Sequence, residues 1–442
     1  MNRNRMNKKR MGRARVLSRA AAGMLAAALC FQPMTALAGP AGDSSLTSSS
    51  SNAGPGGGSV SSNSGSTGSS GGSTSVSNGG VSAVTSGLGV YRVTENEGIG
   101  AIARGVDVSY WQQNVNWSQV ASDNVQFAML ATRFRGNVDP FFAMNAANAS
   151  QAGLRLGAYI YSYATSVEMA QQEADFVLNL IKDYPISFPV VFDAEDANTL
   201  GTLTQSQVSD VINAFCKRIQ DAGYYPMVYA NEYWIANKID MSKISYDIWV
   251  AKYQQKYTYS KTSMWQASNT GSVKGVNGNV DIDYLYKDYT QIIPGNTWRT
   301  IAGNRYYYQN HVMQKSAWIN DGQNWYYMNA AGNPSKGWLE LSGKKYYLEA
   351  DGHMITGWKT LDGGWRYFDA SGEQATGWRA VDGSWYFMAD NGLMQMGWLE
   401  TGGKKYYLNA SGAMQAGWQN LGGSWYYFDG SGAMTTGWQA VG

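Results

Sequence analysis

The chain has 442 residues and a formal net charge of +2; 13% of its residues are aromatic and only 15% charged, with 17 Trp, 30 Tyr and 52 Gly. That length accommodates two or three domains, and the aromatic load excludes both a polar disordered chain and a collagen-like one. The charge is unevenly placed: residues 1–38 hold eight Lys or Arg and no acid, leaving 26 basic against 32 acidic residues, a net of −6 with no basic stripe suited to nucleic acid.

Residues 1–38 read as a secretory signal peptide. A basic run ends at Arg19, an apolar run follows from Ala20 to Phe31, and Ala36-Leu37-Ala38 supplies the small residues of a cleavage site. The apolar run is too short to span a bilayer, which takes roughly 20 helical residues, so no transmembrane anchor is expected. Cleavage after Ala38 removes Cys30 and leaves Cys216 alone, so no intramolecular disulfide is available. Residues 39–95 follow as a Ser/Gly-rich flexible linker, since such a composition cannot bury enough surface to offset its ordering entropy.

From residue 100 to 290 short apolar strands alternate with amphipathic helices. Candidate strands are GVDVS at 105–109, FAMLA at 127–131, LGAYIYSY at 156–163, PVVFDAE at 189–195, PMVYA at 226–230, DIWVA at 247–251 and MWQA at 264–267. Helical patterns at 166–181 and 204–222 lie between them, and Cys216 falls in the second as a buried small hydrophobe. The alternation predicts a mainly parallel sheet closed into an irregular (β/α) barrel, an α/β fold whose site is built at the C-terminal ends of its strands.

Several acids stand at those ends. Asp107 ends the first strand, Asp193 and Glu195 end the fourth, and Asp281 follows the last predicted strand. Strand side chains two apart share a face, so Asp193 and Glu195 project together while Asp196 points away. Two close carboxyls split their pKa values, and one stays protonated near neutral pH. A protonated acid beside a carboxylate is what glycosidic cleavage requires. Tyr159, Tyr161, Tyr163, Trp249 and Trp265 are the candidate platforms for sugar faces. No metal and no cofactor are expected, since neither His311 nor His353 belongs to a ligand constellation and no Gly loop for phosphate precedes a helix.

These residues resemble the family 25 glycoside hydrolases, lysozymes that cut peptidoglycan. The resemblance rests on GVDVSYWQ at 105–112, VDPFF at 138–142, AGLRLGAY at 152–159, VFDAE at 191–195, IWVAKY at 248–253 and GNVDID at 278–283. It implies an incomplete (β/α) barrel that hydrolyses the β-1,4 bond from N-acetylmuramic acid to N-acetylglucosamine. By position, Glu195 is implied as general acid/base, Asp193 as its partner carboxylate, and Asp107 and Asp281 as floor acids. Asp283 stands where the family often has Asn, and Arg133 and Arg135 replace its usual pattern after Ala131. Carboxyls about 5–5.5 Å apart would suit a glycosyl-enzyme route and about 6.5–9.5 Å an inverting one; because both sugars carry 2-acetamido groups, a substrate-assisted route is favoured over these.

Residues 296–442 keep a different rhythm. Trp298, Trp318, Trp338, Trp358, Trp378, Trp398, Trp418 and Trp438 recur at a spacing of twenty, with aromatic clusters and glycines in phase between them. Fixed-period self-similarity predicts an all-β solenoid of hairpins, each burying its face on the next. Repeated Trp and Tyr at the seams suit cations or sugar rings. The pattern resembles the choline-binding repeats of Gram-positive surface proteins, which implies Trp358, Trp365, Trp378, Trp385, Trp418 and Trp425 as pocket walls. Lys345 and Lys405 replace the middle Trp of two units and would repel a cation. The expected protein is a secreted hydrolase bound to peptidoglycan on a Gram-positive-type wall, through choline or another wall polymer. A wall adhesin whose barrel only binds glycan is the alternative.

Overall fold

The computed structural model describes residues 75–78, 81–93, 98–253 and 255–438. The signal peptide expected at 1–38 and the linker up to residue 74 lie outside the described residues. The last part of the expected linker is instead an antiparallel three-stranded sheet, β1 (Ser75–Asn78), β2 (Val81–Ser86) and β3 (Gly89–Val93). Local pattern overrides the Ser-rich average here. Tyr91 is fully buried against the barrel, and the Asn124 side chain accepts from Arg92 N at 3.0 Å and donates to its carbonyl at 2.8 Å.

Eight strands close the barrel. In chain order they are β4 (Ala103–Val108), β5 (Phe127–Ala131), β8 (Arg155–Tyr161), β9 (Ile186–Asp193), β10 (Pro226–Asn231), β11 (Asp247–Ala251), β12 (Thr262–Gly271) and β13 (Val280–Leu285). A small hairpin, β6 (Arg133–Phe134) with β7 (Asn137–Val138), stands over the rim after β5. The ring runs β4-β5-β8-β9-β10-β11-β12-β13 and returns to β4, so it is complete rather than open. All neighbours are parallel except β13, which is antiparallel to both β12 and β4. The sequence reading put Asp281 after the last strand; it is the second residue of β13, paired with Asp107. Because β13 is reversed, its beginning lies at the rim where the parallel strands end.

Period-two alternation separates the two sides of the wall. Phe127, Met129, Phe188, Val191, Met227, Met264 and Leu285 fill the interior. Val106, Ala128, Leu130, Leu156, Val190 and Val228 face outward into the larger core. There they meet helices, chiefly α3 (Val167–Ile181) and α4 (Gln205–Asp221), which follow the shorter α1 (Trp117–Ser122) and α2 (Phe142–Gln151). Thr204 and Gln207 cap α4 reciprocally, and α4 buries Val208, Val211, Ile212, Phe215, Cys216 and Ile219 at helical spacing. Burial pushes the Cys216 thiol up, as a packing residue requires.

The tail is a file of hairpins. The first pairs β14 (Thr297–Ile301) with β15 (Asn304–Gln309) and adds β16 (Val312–Met313). Six more follow at the twenty-residue beat, from Ala317–Asn320 with Trp325–Met328 to Gly417–Leu421 with Ser424–Phe428. From Trp338 onward the Gly before each repeat Trp takes a positive φ, as at Gly357 (76°), which a side chain would strain. The first hairpin packs on the barrel. Arg299, 1% exposed, lies between the rings of Tyr224 (3.9 Å) and Tyr308 (4.3 Å), and Tyr308 OH donates to the Lys182 carbonyl at 2.8 Å.

One interior glycine tests this packing. A Cβ on Gly157 would run into Met129 Sδ and come within 2.9 Å of the Pro189 carbonyl. Gly157→Ala is expected to lower stability by about 1–3 kcal/mol, read from the urea midpoint, because the wall of β9 cannot recede.

Candidate active site and repeat junctions

Five carboxyl groups gather at the C-terminal mouth of the barrel. Asp107 comes from β4, Asp193 is the last residue of β9, Glu195 follows two residues on, and Asp281 and Asp283 come from β13. A groove of about 420 Å³ opens over them, and Asp107, Asp193, Glu195 and Asp281 all line it. Asp196 takes the other direction, as its parity requires. Its carboxylate caps Asn198 N and Thr199 N and accepts from Tyr161 OH at 3.1 Å.

Gln266 on β12 organises the floor. Its Oε1 accepts from Tyr229 OH and Tyr253 OH, both at 2.8 Å, which fixes the amide orientation. Its Nε2 therefore faces Asp107 and donates to Oδ2 at 2.7 Å. Asp283 lies below, fully buried, with Oδ1 accepting from Trp249 Nε1 at 3.0 Å. Asp193 Oδ1 is buried and accepts no hydrogen bond from the protein.

Burial dominates the electrostatics. It raises Asp107, Asp193 and Asp283 well above the usual carboxylate range, and neighbouring carboxylates add to the shift. Burial also raises Glu195, reinforced by the charges of Asp281 and Asp196, and brings Asp281 up to about 6. Such a cluster titrates as a unit and retains protons at a pH where free carboxyls have lost theirs. Arg133, which borders the groove, does not neutralise it, being held by Glu173 at 2.5 Å.

The aromatic candidates divide. Tyr159, Tyr161, Tyr163 and Trp249 line the groove, the three tyrosines sharing one face by alternation. Trp249 is 1% exposed, so it forms the floor rather than an open platform. Trp265 is a correction. It projects from the outside of the barrel against Tyr257 (5.6 Å) and Tyr284 (5.7 Å), with Nε1 bonded to the Lys252 carbonyl. On β12 the inward side chains are its neighbours Met264 and Gln266, and the lone amide in that apolar run was the available signal. The sequence reading also missed Tyr229, Tyr253, Trp111 and Phe134. Trp111 is 67% exposed at the groove edge, where Phe134 stacks on Tyr110 at 4.0 Å. Tyr229 lies on β10, Tyr253 just beyond β11, Phe134 on β6 and Trp111 in the helical turn Tyr110–Gln112, so no single spacing in the sequence links them. Arg135, beside them, lies over the Phe134 ring.

In the tail, each repeat tryptophan from Trp298 to Trp398 meets an aromatic of the following hairpin. Trp358 lies 4.8 Å from Tyr386 and 6.4 Å from Trp365; Trp378 lies 4.9 Å from Tyr406. Trp365 and Trp385 are half exposed at the mouths of these corners. Trp418 and Trp425 are exposed but meet no following hairpin among the described residues. A corner not singled out in the sequence has the same make-up: Trp318 lies 5.0 Å from Tyr346, with Trp325 in the register of Trp365.

Comparison with known proteins locates both halves. The model of glycosyl hydrolases family 25 matches residues 106–276. A choline-binding repeat model matches 335–377 and 375–416, and a cell wall binding repeat model matches 316–333 and 416–434. The uncharacterised protein YegX of Escherichia coli O157:H7 is 31% identical over 189 residues, covering 40% of this chain and 68% of that protein. Lysozyme M1 of Streptomyces globisporus is 30% identical over 195 residues, covering 40% of this chain and 66% of the lysozyme. Among solved structures, CbpJ of Streptococcus pneumoniae is 40% identical over 31% of this chain and 51% of its own, with a TM-score of 0.30. This chain thus spans about half of that protein.

Two measurements test the electrostatic description. A carboxyl with a raised folded pKa binds more protons folded than unfolded, so stability falls as pH climbs through the interval, which for Asp281 runs from 3.8 to about 6. The urea midpoint is expected to drop between about pH 4 and about pH 7, and Asp281→Asn to flatten that slope. Gln266→Leu leaves two tyrosine hydroxyls without their acceptor and is expected to cost about 1–3 kcal/mol in the same assay.

Proposed function

We propose a reaction for a chain that belongs to the glycosyl hydrolases of family 25: hydrolysis of the β-1,4 bond from N-acetylmuramic acid to N-acetylglucosamine in peptidoglycan. The observation that carries it is the pair Asp193 and Glu195, both facing one groove and both with raised proton affinity. Glu195 is the less buried of the two and borders the groove, which suits a general acid that reaches the leaving oxygen.

The steps follow from these positions. Glu195 gives its proton to the leaving sugar's O4 as the glycosidic bond lengthens. The acetamide oxygen of the retained sugar attacks C1, forming a cyclic intermediate, while Asp193 accepts the acetamide N–H. Its Oδ1, which accepts nothing from the protein, is suited to that donor. The Glu195 carboxylate then takes a proton from water, which opens the ring at C1. Two displacements give net retention. Burial and the neighbouring charges of Asp281 and Asp196 favour the protonated form of Glu195, and Gln266 holds Asp107 on the floor beside it. Tyr161 and Tyr163 border the groove for sugar faces, and Trp111 offers a second platform at its edge.

The reading extends to location. The repeats bind a cell-wall polymer, and among the described residues no helix is long and apolar enough to cross a membrane. We assign residues 1–38 to a secretion signal, 39–74 to a tether, and the repeats to a choline-bearing polymer of a Gram-positive-type wall. Several weak contacts on one chain raise the effective substrate concentration at the groove.

Clearing of a peptidoglycan gel tests the assignment. Glu195→Gln is expected to lose about 10²–10⁴-fold in rate, whereas equal clearing would remove Glu195 from the mechanism, and no clearing by either would leave only the glycan-binding reading. The rate is expected to fall as pH rises through the raised pKa of Glu195, because only the protonated form can donate. Inversion at the anomeric carbon would eliminate the substrate-assisted route. For the repeats, free choline is expected to elute the chain from a tertiary-amine resin.

A further inference from the structure

The repeat junctions are not equivalent, and the difference lies in two register positions. One supplies the middle residue of each unit: Arg305, Trp325, Lys345, Trp365, Trp385 and Lys405. The other supplies the residue that the next hairpin brings across: Tyr326, Tyr346, Arg366, Tyr386, Tyr406 and Tyr426. Three junctions are aromatic at both positions, around Trp318, Trp358 and Trp378. At each of these a methionine just beyond the next hairpin donates its backbone N–H to the middle tryptophan's carbonyl, from Met354, Met394 and Met414 respectively.

Two other junctions already contain a cation. Arg366 is 7% exposed, and its guanidinium lies 5.0 Å from the Trp338 ring centroid, in a cavity of about 330 Å³ lined also by Lys345, Asp362 and Gln374. It donates to the Asn391 carbonyl and to Asp362 Oδ2, the oxygen that also accepts from Trp338 Nε1 at 3.2 Å. At the first junction the Arg305 guanidinium lies 4.1 Å from the Trp298 ring centroid, and Trp298 Nε1 donates to Asp321 at 3.1 Å. In both places an aromatic face that attracts a cation is covered by the chain's own arginine, and at the Trp338 junction Asp362 lies 3.4 Å from the guanidinium.

We infer that Arg305 and Arg366 are built-in ligands that close the Trp298 and Trp338 junctions, so quaternary ammonium groups bind at the Trp318, Trp358 and Trp378 junctions and are excluded from those two. The identity of the external ligand rests on the choline reading above; the closure by arginine does not. A guanidinium at 4–5 Å from the ring occupies the volume an ammonium group needs and repels it as well. The wall-binding valency of the tail is thus set by residue identity at two positions, not by the number of hairpins.

Titration calorimetry of the full chain with choline chloride reads the number of sites. Arg305→Trp, and separately the pair Lys345→Trp with Arg366→Tyr, are each expected to add one site; Tyr386→Arg is expected to remove one. Site numbers unchanged by all three, in a chain that binds choline, would overturn the inference. A second readout is independent of choline. Arg366→Ala is expected to melt at lower temperature, and millimolar tetramethylammonium to raise that temperature by more than it raises the wild type's. An equal response in both proteins would overturn closure by Arg366. Rescue in a chain whose wild type binds no choline would support closure while refuting the choline reading.

Discussion

Strand β13 runs against both of its neighbours, and the groove's chemistry depends on that reversal. In a ring of parallel strands only C-terminal ends reach the catalytic mouth. A reversed strand brings its beginning there instead, so Asp281 pairs with Asp107 across the sheet and Asp283 enters the interior one step lower. Two carboxyls are thereby set against a third on the adjacent strand, with β9 supplying Asp193 and Glu195 across the mouth. Desolvation then acts on all five together. Had β13 been parallel, its acids would have emptied into the opposite end of the barrel, and Glu195 would have lost the neighbouring charge of Asp281 that adds to its proton affinity.

Concentrating acids in this way opposes folding, and the floor shows how the cost is contained. Gln266 is the pivot: two tyrosine hydroxyls hold its oxygen, which leaves its N–H₂ no choice but Asp107. Trp249 serves Asp283 from β11, two strands away, so the indole is both a packing element and a donor. Proton retention, rather than a buried cation, relieves what remains. Arg133 is diverted to Glu173, a pairing that keeps positive charge from quenching the cluster. The same burial that weakens the fold as pH rises raises the proton affinity of Glu195.

The tail uses aromatic chemistry in two ways on one scaffold. Most tryptophans pack edge-on against the tyrosine of their own hairpin, as Trp358 does on Tyr367 at 5.1 Å, and this holds the solenoid together without aliphatic bulk. The remaining faces look outward at the seams. The seams differ at two positions, the middle residue of the unit, which is Trp, Lys or Arg, and the partner residue one unit along, which is Tyr or Arg, without disturbing the hairpins. The first hairpin has a separate task, since Arg299 between Tyr224 and Tyr308 joins it to the barrel, and Lys315 adds an ion pair to Asp183.

Much of this was legible in the chain itself. Short runs of four to eight residues locate seven barrel strands, because a strand covered on both faces has little polar side to interrupt it. Asp193 and Glu195 declare a shared direction through their spacing, and the beat of twenty announces the hairpins. Tertiary structure decided what pattern alone does not encode. Val280–Leu285 carries alternating acids that read as a loop, and only closure of the ring makes it a strand whose Asp281 meets Asp107. Trp265 looked like a sugar platform because residue type says nothing about which side of a barrel wall a side chain takes; the register of β12 turned Gln266 inward and Trp265 out. Tyr91 sits in a stretch whose composition suggests a tether, yet one buried ring and a short sheet order its end. Local periodicity fixes elements, but the direction of a strand and the facing of a side chain are set by contacts distant in sequence.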